Sequence, residues 1–156
     1  MPELDLIDRK IIVQLMEDAT LPVALIADRV GLSQTPCWKR IRRLEQNGVI
    51  PRRVALADPA ALGIQVEAFV LIEVSEQGAE AQAALCALRA ETPEVMEIWR
   101  IAGEHDYLLR IAAPDIASFD AICHRLQTRV PLRRLNAHLA LERIAFTTAY
   151  PLDTHP

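Results

Sequence analysis

The spacing of hydrophobic and polar positions in the first third of the chain predicts two short helices. Asp5 has the side chain of an N-cap and precedes an amphipathic stretch. The apolar positions of that stretch recur at helical spacing at Ile7, Ile11, Leu15 and Ala19. A second helix is predicted between Thr20, which can cap it, and Gly31, which can adopt the left-handed conformation that ends a helix. Both helices therefore have an apolar side for a common core.

A third helix is predicted from its cap at Ser33 to Asn47-Gly48. Its apolar positions, Cys37, Ile41 and Leu44, form one inward stripe. The opposite face is polar and basic and carries Gln34, Thr35, Trp38, Lys39, Arg42 and Gln46. A short helix, a glycine-containing turn and a second helix with a basic outer face make a helix-turn-helix pattern, whose second helix enters the major groove of DNA.

The stretch that follows, "VIPRRVALAD", predicts one or two short strands and hence a small wing. Pro51 limits the regularity of the first strand, because proline cannot donate a backbone hydrogen bond to a sheet. We therefore expect a winged helix-turn-helix domain over residues 1–52, followed by a linker over 53–64.

The rest of the chain changes to a β-α-β-β-α-β rhythm, typical of a ferredoxin-like domain over 65–156. The predicted elements are a strand over 65–74, a helix over 78–91, two strands on either side of "GEH", a helix over "IASFDAICHRLQTRV" and a long last strand over "LRRLNAHLALERIAF". The predicted fold class is therefore α+β. Because the helices cover only one sheet face, and the first and last strands suggest that the other is also apolar, we expect a homodimer through that face.

Composition and charge narrow the function classes. The chain has 156 residues, 51% of them hydrophobic, and lacks both an apolar run of membrane length and the features of a signal peptide. A soluble cytoplasmic protein with no membrane partner is the expectation. The three cysteines, Cys37, Cys86 and Cys123, lie far apart in apolar helical patterns, which favours reduced packing residues over disulfides or metal ligands.

The positive charge is local, although the whole chain has a net charge of −4. Residues 33–53 hold six Lys or Arg and one acid, a local balance of +5, which attracts a polyanion such as double-stranded DNA. The alternative is an ordinary solvated helix face. Trp38 is compatible with either a core position or a contact to DNA, and Arg40, nearer the apolar edge, could brace the domain through a salt bridge.

A second candidate site is "GEHDYLL", residues 103–109. Gly103 permits unusual backbone angles, and two carboxylates, an imidazole and a phenol follow it at one sheet edge, where they could hold the amine and carboxylate of a small ligand. A hairpin turn selected only for its geometry is the alternative. His138, on the last strand, could approach the same edge.

Catalytic and cofactor motifs are absent from the sequence. The five glycines form no phosphate loop, no two of the four histidines have metal-ligand spacing, and no Ser or Cys lies in a nucleophile elbow. We therefore expect no enzyme, no cofactor and no metal site.

Three stretches, "LDLIDRKIIVQLMED", "LIADRVGLSQTPCWKRIRRLEQNGVI" and "GEHDYLL", together resemble the family of leucine-responsive and asparagine regulators, the Lrp/AsnC or feast/famine regulators. The resemblance runs from about Leu4 to Leu152. It implies a transcriptional regulator with an N-terminal winged helix-turn-helix and a C-terminal ferredoxin-like domain, which forms dimers and often tetramers of dimers. It also implies an amino-acid or related effector bound between C-terminal domains.

The same resemblance assigns site residues. The recognition helix maps onto 33–46, which implies Ser33, Gln34, Thr35, Trp38, Lys39 and Arg42 at the DNA, with Arg43 and Arg53 as phosphate contacts. The effector loop maps onto Gly103, Glu104, His105, Asp106 and Tyr107. Two departures are visible: His105 stands where an aromatic residue is common, and Ala137 stands near the position of a ligand-bonding Thr. A different effector, a contact from His138 or no effector are the alternatives.

The leading hypothesis is a sequence-specific, dimeric transcription factor that responds to a small metabolite. One rival is a metabolite-binding or assembly module in which the helix-turn-helix serves only for packing. A small ferredoxin-like enzyme is a further and poorly supported alternative, because the chain offers no catalytic constellation.

Overall fold

The computed structural model describes residues 3–76 and 78–154. These residues form two compact units. One contains the chain up to Leu56 together with the segment from Ala145 onward, and we call it the helical unit. The other spans Ala57–Ile144, and we call it the sheet unit. Within the described chain, none of the helices has the length and apolar character that a membrane crossing requires.

The helical unit contains three helices: α1 (Leu6–Glu17), α2 (Val23–Val30) and α3 (Gln34–Gln46). Asp5 caps α1, as predicted, because its carboxylate accepts a backbone N–H of the first turn at 2.8 Å. Gly31 ends α2 with a φ of 73°, the left-handed conformation expected of it. The tight α2–turn–α3 arrangement is therefore determined locally, by residues at the helix ends.

Two details of the predicted helix ends are wrong. Ala19 lies beyond α1, which ends at Glu17. Thr20 does not cap α2: its hydroxyl and its backbone N–H both donate to the Asp18 carboxylate, at 2.6 and 2.8 Å, and Pro22 occupies the N-cap position instead. An Asp two residues upstream can capture a Thr in a local turn, which removes its side chain from the helix end.

The core of the helical unit contains the apolar stripes of all three helices, including the predicted stripe of α3. Its buried members are Ile11, Ile12, Leu15, Ile26, Ala27, Cys37, Ile41 and Leu44. Burial also raises the pKa of the Cys37 thiol, which is consistent with a packing role for this residue. The prediction of a packing role is confirmed at Cys37 and Cys123, which are buried, and is wrong at Cys86, which is exposed.

The short strands expected after α3 are not present. Among the described residues, 51–58 contain no strand, and Val54 and Leu56 are exposed. Pro51 cannot donate to a ladder, and no described strand pairs with the stretch, so it has no sheet hydrogen bonds. A strand prediction from residue type alone does not supply the partner that a strand needs.

The sheet unit follows the predicted β-α-β-β-α-β order. After a short 3₁₀ helix at Ala60–Leu62, its elements are β1 (Val66–Val74), α4 (Ala79–Glu91), β2 (Val95–Arg100), β3 (Tyr107–Ala113), α5 (Ile116–Arg129) and β4 (Leu132–Leu139). The antiparallel sheet has the order β2-β3-β1-β4. The predicted α+β fold with a ferredoxin-like second domain is confirmed.

The last strand is shorter than predicted, because β4 ends at Leu139 rather than continuing toward Phe146. Leu139 pairs with Ala68, and Ala140 makes one further backbone bond to Glu67, at the start of β1. The strand pairing does not continue beyond that point, and residues 141–146 are irregular and exposed.

The C-terminal segment groups with the helical unit, whereas the sequence prediction assigned it to the domain over 65–156. Leu152 packs against the core of the helical unit, and the Thr148 hydroxyl donates to the carbonyl of Met16. A contact between residues so far apart in the chain leaves no periodic signal in the sequence that would predict this packing.

One face of the sheet packs against α4 and α5, and the other is open in the single chain. The register places Trp99, Leu108, Leu71 and Asn136 in one row across the open face. The prediction that the last strand makes this face apolar is wrong: β4 contributes Arg134, Asn136 and His138 here, while its leucines lie toward the helices. The apolar area of the open face comes from β1, β2 and β3.

Candidate nucleic-acid interface and small-molecule pocket

The outward side of α3 combines polar, aromatic and basic side chains over a buried apolar stripe. The predicted residues that share this exposed side are Gln34, Thr35, Trp38, Lys39 and Arg42. Ser33 lies just before them at the N-cap position, with extended backbone, and its hydroxyl makes no capping bond. The start of α3 therefore presents side chains with both donors and acceptors to solvent, as direct reading of base edges requires.

Trp38 is 49% exposed, so it is not a core residue. The Arg42 guanidinium lies 5.5 Å from the centroid of its ring, within the range of a cation–π contact. This contact gives Arg42 a defined position one helical turn beyond Trp38. Of the two sequence interpretations of Trp38, the structure favours the outward one.

Arg42 and Arg53 share one acidic partner, Glu45. The Glu45 carboxylate contacts Arg42 at 3.4 Å and Arg53 at 2.8 Å, through different oxygens. Glu45 was counted in the sequence only as the single acid of a basic stretch. Its position three residues after Arg42 was the available signal, since such residues are neighbours on a helix.

Arg40 and Arg43 lie on the other side of α3 and contact α1. Asp8, only 1% exposed, accepts from Arg40 at 2.9 Å and from Arg43 at 2.6 Å. Arg40 also contacts Asp5 at 2.6 Å, which is the bracing role that the sequence left open. Hydrogen bonds to Asp5 and Asp8 raise the pKa of Arg40. Arg43, predicted at phosphate, is therefore tied to Asp8, although half of its side chain is exposed.

The loop between β2 and β3 holds the second predicted site. Asp106 fastens it to β1: its Oδ2 accepts from the backbone of Val74, and its own N–H donates to Ile72, both at 2.9 Å. Tyr107 is buried. Gly103 has a φ of 141°, which side-chain-bearing residues rarely adopt. One role of the 103–107 motif is therefore to fix the conformation of the loop between β2 and β3.

Glu104 and His105 lie against β4. His105 Nε2 is 2.9 Å from the side-chain amide of Asn136, and Arg134 contacts both Glu104, at 3.1 Å, and Glu73, at 3.2 Å. Potential metal-ligand atoms of Glu73, Glu104 and His105 lie within 4.8 Å of one another. The Arg134 guanidinium already pairs with both carboxylates, and its positive charge disfavours a cation there.

A cavity of about 460 Å³ lies between this loop and the start of α4. The loop contributes Gly103, His105, Asp106 and Tyr107, whereas Glu104 and His138 do not line it. His138 pairs with Phe69 in the sheet, one row away from the Asn136 that contacts His105. Sequence reasoning missed Gly78, Ala79, Gln82 and Arg100, which also line the cavity, because α4 and β2 approach the loop only through the tertiary fold.

The fold and these two sites define a two-domain protein that combines a helix-turn-helix unit with a ferredoxin-like unit containing a cavity. A model described as winged helix-turn-helix DNA-binding matches residues 4–50, and one described as the Lrp/AsnC ligand binding domain matches 67–150. The chain belongs to the Lrp/AsnC family of transcriptional regulators. The family resemblance seen in the sequence is thereby confirmed.

Individual relatives cover almost the whole chain. It is 40% identical over 151 residues to the DNA-binding transcriptional activator DecR of Escherichia coli, covering 96% of this chain and 99% of DecR. It is 37% identical to a glutamate uptake regulatory protein of Zymomonas mobilis, covering 96% and 92%.

Solved structures agree with the fold. An AsnC family transcriptional regulator from Agrobacterium tumefaciens has a TM-score of 0.86 at 44% identity, covering 94% of this chain and 96% of that one. A transcriptional regulator from Neisseria meningitidis in complex with L-Met has a TM-score of 0.89 at 28% identity, covering 97% and 98%.

Proposed function

We propose that this protein is a sequence-specific DNA-binding transcriptional regulator that inserts α3 into the major groove. The observation that carries the proposal is the two-sided character of α3. Its apolar stripe is buried in the helical unit, while Gln34, Thr35, Trp38, Lys39 and Arg42 face solvent together. Family membership and the similarity to DecR, a DNA-binding transcriptional activator, support the same conclusion.

Within this proposal the residues differ in which part of the DNA they contact. Those near the start of α3, Ser33, Gln34 and Thr35, have the donors and acceptors that read base edges. Lys39 and Arg42 follow on the same side, where each can contact a base or a phosphate. Arg43 and Arg53 are proposed as phosphate contacts, and each would exchange an acidic partner for DNA.

A binding series tests the proposal. A fragment from upstream of the protein's own gene should bind more tightly than random DNA of equal length at the same salt concentration. Lys39→Ala or Arg42→Ala should weaken specific binding by about 1–3 kcal/mol if the side chain reads a base, and lower the salt slope by about 1 if it contacts phosphate. Arg9→Ala, an exposed arginine on α1, is the matched control.

The rival assembly module predicts a different result. If the helix-turn-helix serves only for packing, equal affinity for the upstream fragment and random DNA is expected, with no specific complex at micromolar protein. That outcome would contradict the proposed function.

We also propose that the protein is located in the cytoplasm, because the proposed target is chromosomal DNA. We further propose that it has no catalytic activity.

We further propose a homodimer through the open sheet face, and further assembly of these dimers into tetramers of dimers. Phe69 and Trp99 are 42% and 56% exposed there and lie beside the half-buried Leu71 and Leu108. Burial of these four apolar side chains against a second copy would remove them from water. Light scattering should give a dimer or a multiple of it. Leu71→Arg should shift the mass toward the monomer, whereas Arg89→Ala, on the exposed side of α4, should not.

The effector proposed for the sheet unit is an amino acid bound in the 460 Å³ cavity. Arg100 lines the cavity and can pair with a carboxylate, and Gly78 and Ala79 line it at the start of α4. L-methionine is a suitable first probe, because a relative was solved as its L-Met complex. Calorimetry should detect binding that Arg100→Gln weakens at least tenfold, and methioninamide should bind less well than the acid.

A bound effector would act on DNA by favouring one assembly. The DNA affinity can change only by the ratio of effector affinities for the two states. We therefore expect an amino acid that binds the cavity to alter both the oligomer mass and the gel shift. Binding without either change would contradict effector control while leaving DNA recognition intact.

A further inference from the structure

Glu45 occupies an unusual electrostatic position on the proposed DNA-binding side. It is the single acid among residues 33–53, a stretch with six Lys or Arg. Its two carboxylate oxygens contact two different cations, Arg42 and Arg53, at 3.4 and 2.8 Å. An acid facing a polyanion is unfavourable, so its location needs an explanation other than attraction to DNA.

The contacts of Glu45 connect two parts of the helical unit. Arg42 belongs to α3 and is held on its other side by the ring of Trp38. Arg53 lies in the stretch after α3, where the described backbone has neither helix nor strand. The ion pair between Glu45 and Arg53 therefore ties the stretch after α3 to the helix. Trp38, Arg42, Glu45 and Arg53 form one continuous array, which we call the Glu45 array.

The charge of Glu45 should affect the protein's affinity for random DNA differently from its affinity for a matching site. Random DNA attracts a protein mainly through phosphates, and each cation that neutralises a phosphate adds to affinity and to its salt dependence. Arg42 and Arg53 are partly neutralised by Glu45 in the free protein. A matching site adds contacts that depend on direction, such as a bidentate guanidinium on guanine, and these benefit from a guanidinium already held in place.

We propose that Glu45 is a specificity-determining positioning residue of the recognition helix. Its carboxylate holds Arg42 and Arg53 in one geometry and reduces their attraction to phosphates of nonmatching DNA. The residue acts through the two arginines and does not itself read a base. This inference rests on the proposed DNA-binding function and adds a mechanism for discrimination to it.

The primary test compares Glu45→Gln with the wild-type protein on two duplexes. One is a sequence enriched by the wild-type protein from a randomised library, and the other is a scrambled sequence of the same composition. Glu45→Gln should bind the scrambled duplex about threefold to tenfold more tightly, the range expected for loss of exposed ion pairs. Its salt slope on that duplex should steepen by about one to two units, for one or two released arginines. The ratio of specific to random affinity should fall.

Glu17→Gln is the matched control for net charge. Glu17 is an exposed acid on α1, and the substitution removes the same charge from the same unit. Glu45→Asp keeps the charge but shortens the side chain by one methylene, so it should recover the low random affinity only in part. Circular dichroism should show unchanged helix content in each variant.

Fluorescence supplies a readout that a purely structural role would not change. In a Trp99→Phe background Trp38 is the remaining tryptophan, since the chain has two. Arg42→Ala defines its emission without the stacked guanidinium. Glu45→Gln should move the emission toward that limit, because Arg42 loses the carboxylate that helps to hold it over the ring.

The outcomes separate the two proposals. If the wild-type protein enriches no sequence from the library, the proposed function fails and the inference fails with it. If the wild type discriminates and Glu45→Gln changes specific and random affinity by the same factor, or behaves like Glu17→Gln, only the inference about Glu45 is overturned. An unchanged Trp38 emission in Glu45→Gln would contradict the positioning step.

Discussion

Each unit of the protein contains a cluster of ion pairs, and the two clusters differ in where the central residue lies. In the helical unit, Asp8 is buried and binds Arg40 and Arg43. In the sheet unit, Arg110 on the open face binds Glu67 and Glu97 at 3.1 and 2.8 Å, and a quarter of its side chain remains exposed.

The two clusters should therefore differ in how much stability is lost when one partner of an ion pair is removed. Removal of a buried carboxylate leaves two guanidinium groups without the charge that compensated their partial desolvation. An ion pair in contact with water loses less, since water replaces the missing partner. The helical unit therefore uses its cluster to fix α3 against α1. The cluster of the sheet unit lies on a face available to a second copy of the chain.

The largest expected effect is that of Asp8→Ala. It should lower the free energy of unfolding of the helical unit by about 2–4 kcal/mol, less than for a fully buried pair because both arginines are partly exposed. Urea unfolding followed by Trp38 emission in the Trp99→Phe background measures it. Asp5→Ala, which removes an N-cap and one exposed pair, should cost about 1 kcal/mol. Equal losses for both variants would show that burial of Asp8 does not matter.

Gly31→Ala should have the next largest effect, a loss of about 1–2 kcal/mol. The glycine has a φ of 73°, and no atom beyond its two chain neighbours lies within 4 Å of an added Cβ, so the loss would reflect backbone conformation. Gly31→Asn is the control, because Asn tolerates this conformation better. If Ala is as stable as Gly, the turn before α3 can relax, and α3 is less rigidly held than the geometry indicates.

Arg110→Ala should destabilise the sheet unit by less than about 1 kcal/mol, although it removes contacts to two glutamates. Thermal unfolding at a fixed protein concentration, with Arg89→Ala as the exposed control, measures this difference. A loss comparable with that of Asp8→Ala would mean that the open face is covered in solution, in agreement with the proposed dimer.

The smallest expected effect is on the acid dependence of stability. A backbone N–H bond from Asp8, and then Arg40, holds the pKa of Asp5 below its usual value of 3.8. The stabilisation is therefore present above that value and is lost as the pH falls through the lowered pKa of the folded state. Asp5→Asn keeps a capping oxygen and should flatten the decline in unfolding free energy between about pH 5 and pH 2. An unchanged slope would exclude Asp5 as a contributor.

The sheet unit has its own acid-sensitive group. A hydrogen bond from Trp99, followed by that from Arg110, lowers the pKa of Glu97. Its contribution has the same sign as that of Asp5, so both units should lose stability on acidification.

Local patterns accounted for most of the helical unit. The buried stripe of α3, the Asp5 cap and the Gly31 stop each depend on residues within a few positions of one another. Thr20 was assigned wrongly because two local motifs compete there, and the Asp18 turn prevails.

Local patterns were less informative about strand pairing. The short strands after Pro51 and the continuation beyond Leu139 were both expected from β-forming residues, but in the described part of the chain neither segment is a strand. The lining of the cavity could not be predicted from local patterns either. Arg100 and Gln82 join the predicted loop residues only because β2 and α4 are brought to it by the fold.

The sequence by itself determined the family, the order of elements and the outward face of α3, because amphipathic spacing and helix-end chemistry are short-range properties. The tertiary structure alone decided which charges meet, Glu45 with Arg53 and Asp8 with two arginines of α3. It also decided that Arg100 lines one cavity with residues of the 103–107 loop. Such encounters depend on the distances between elements, and residue type and local spacing do not encode them.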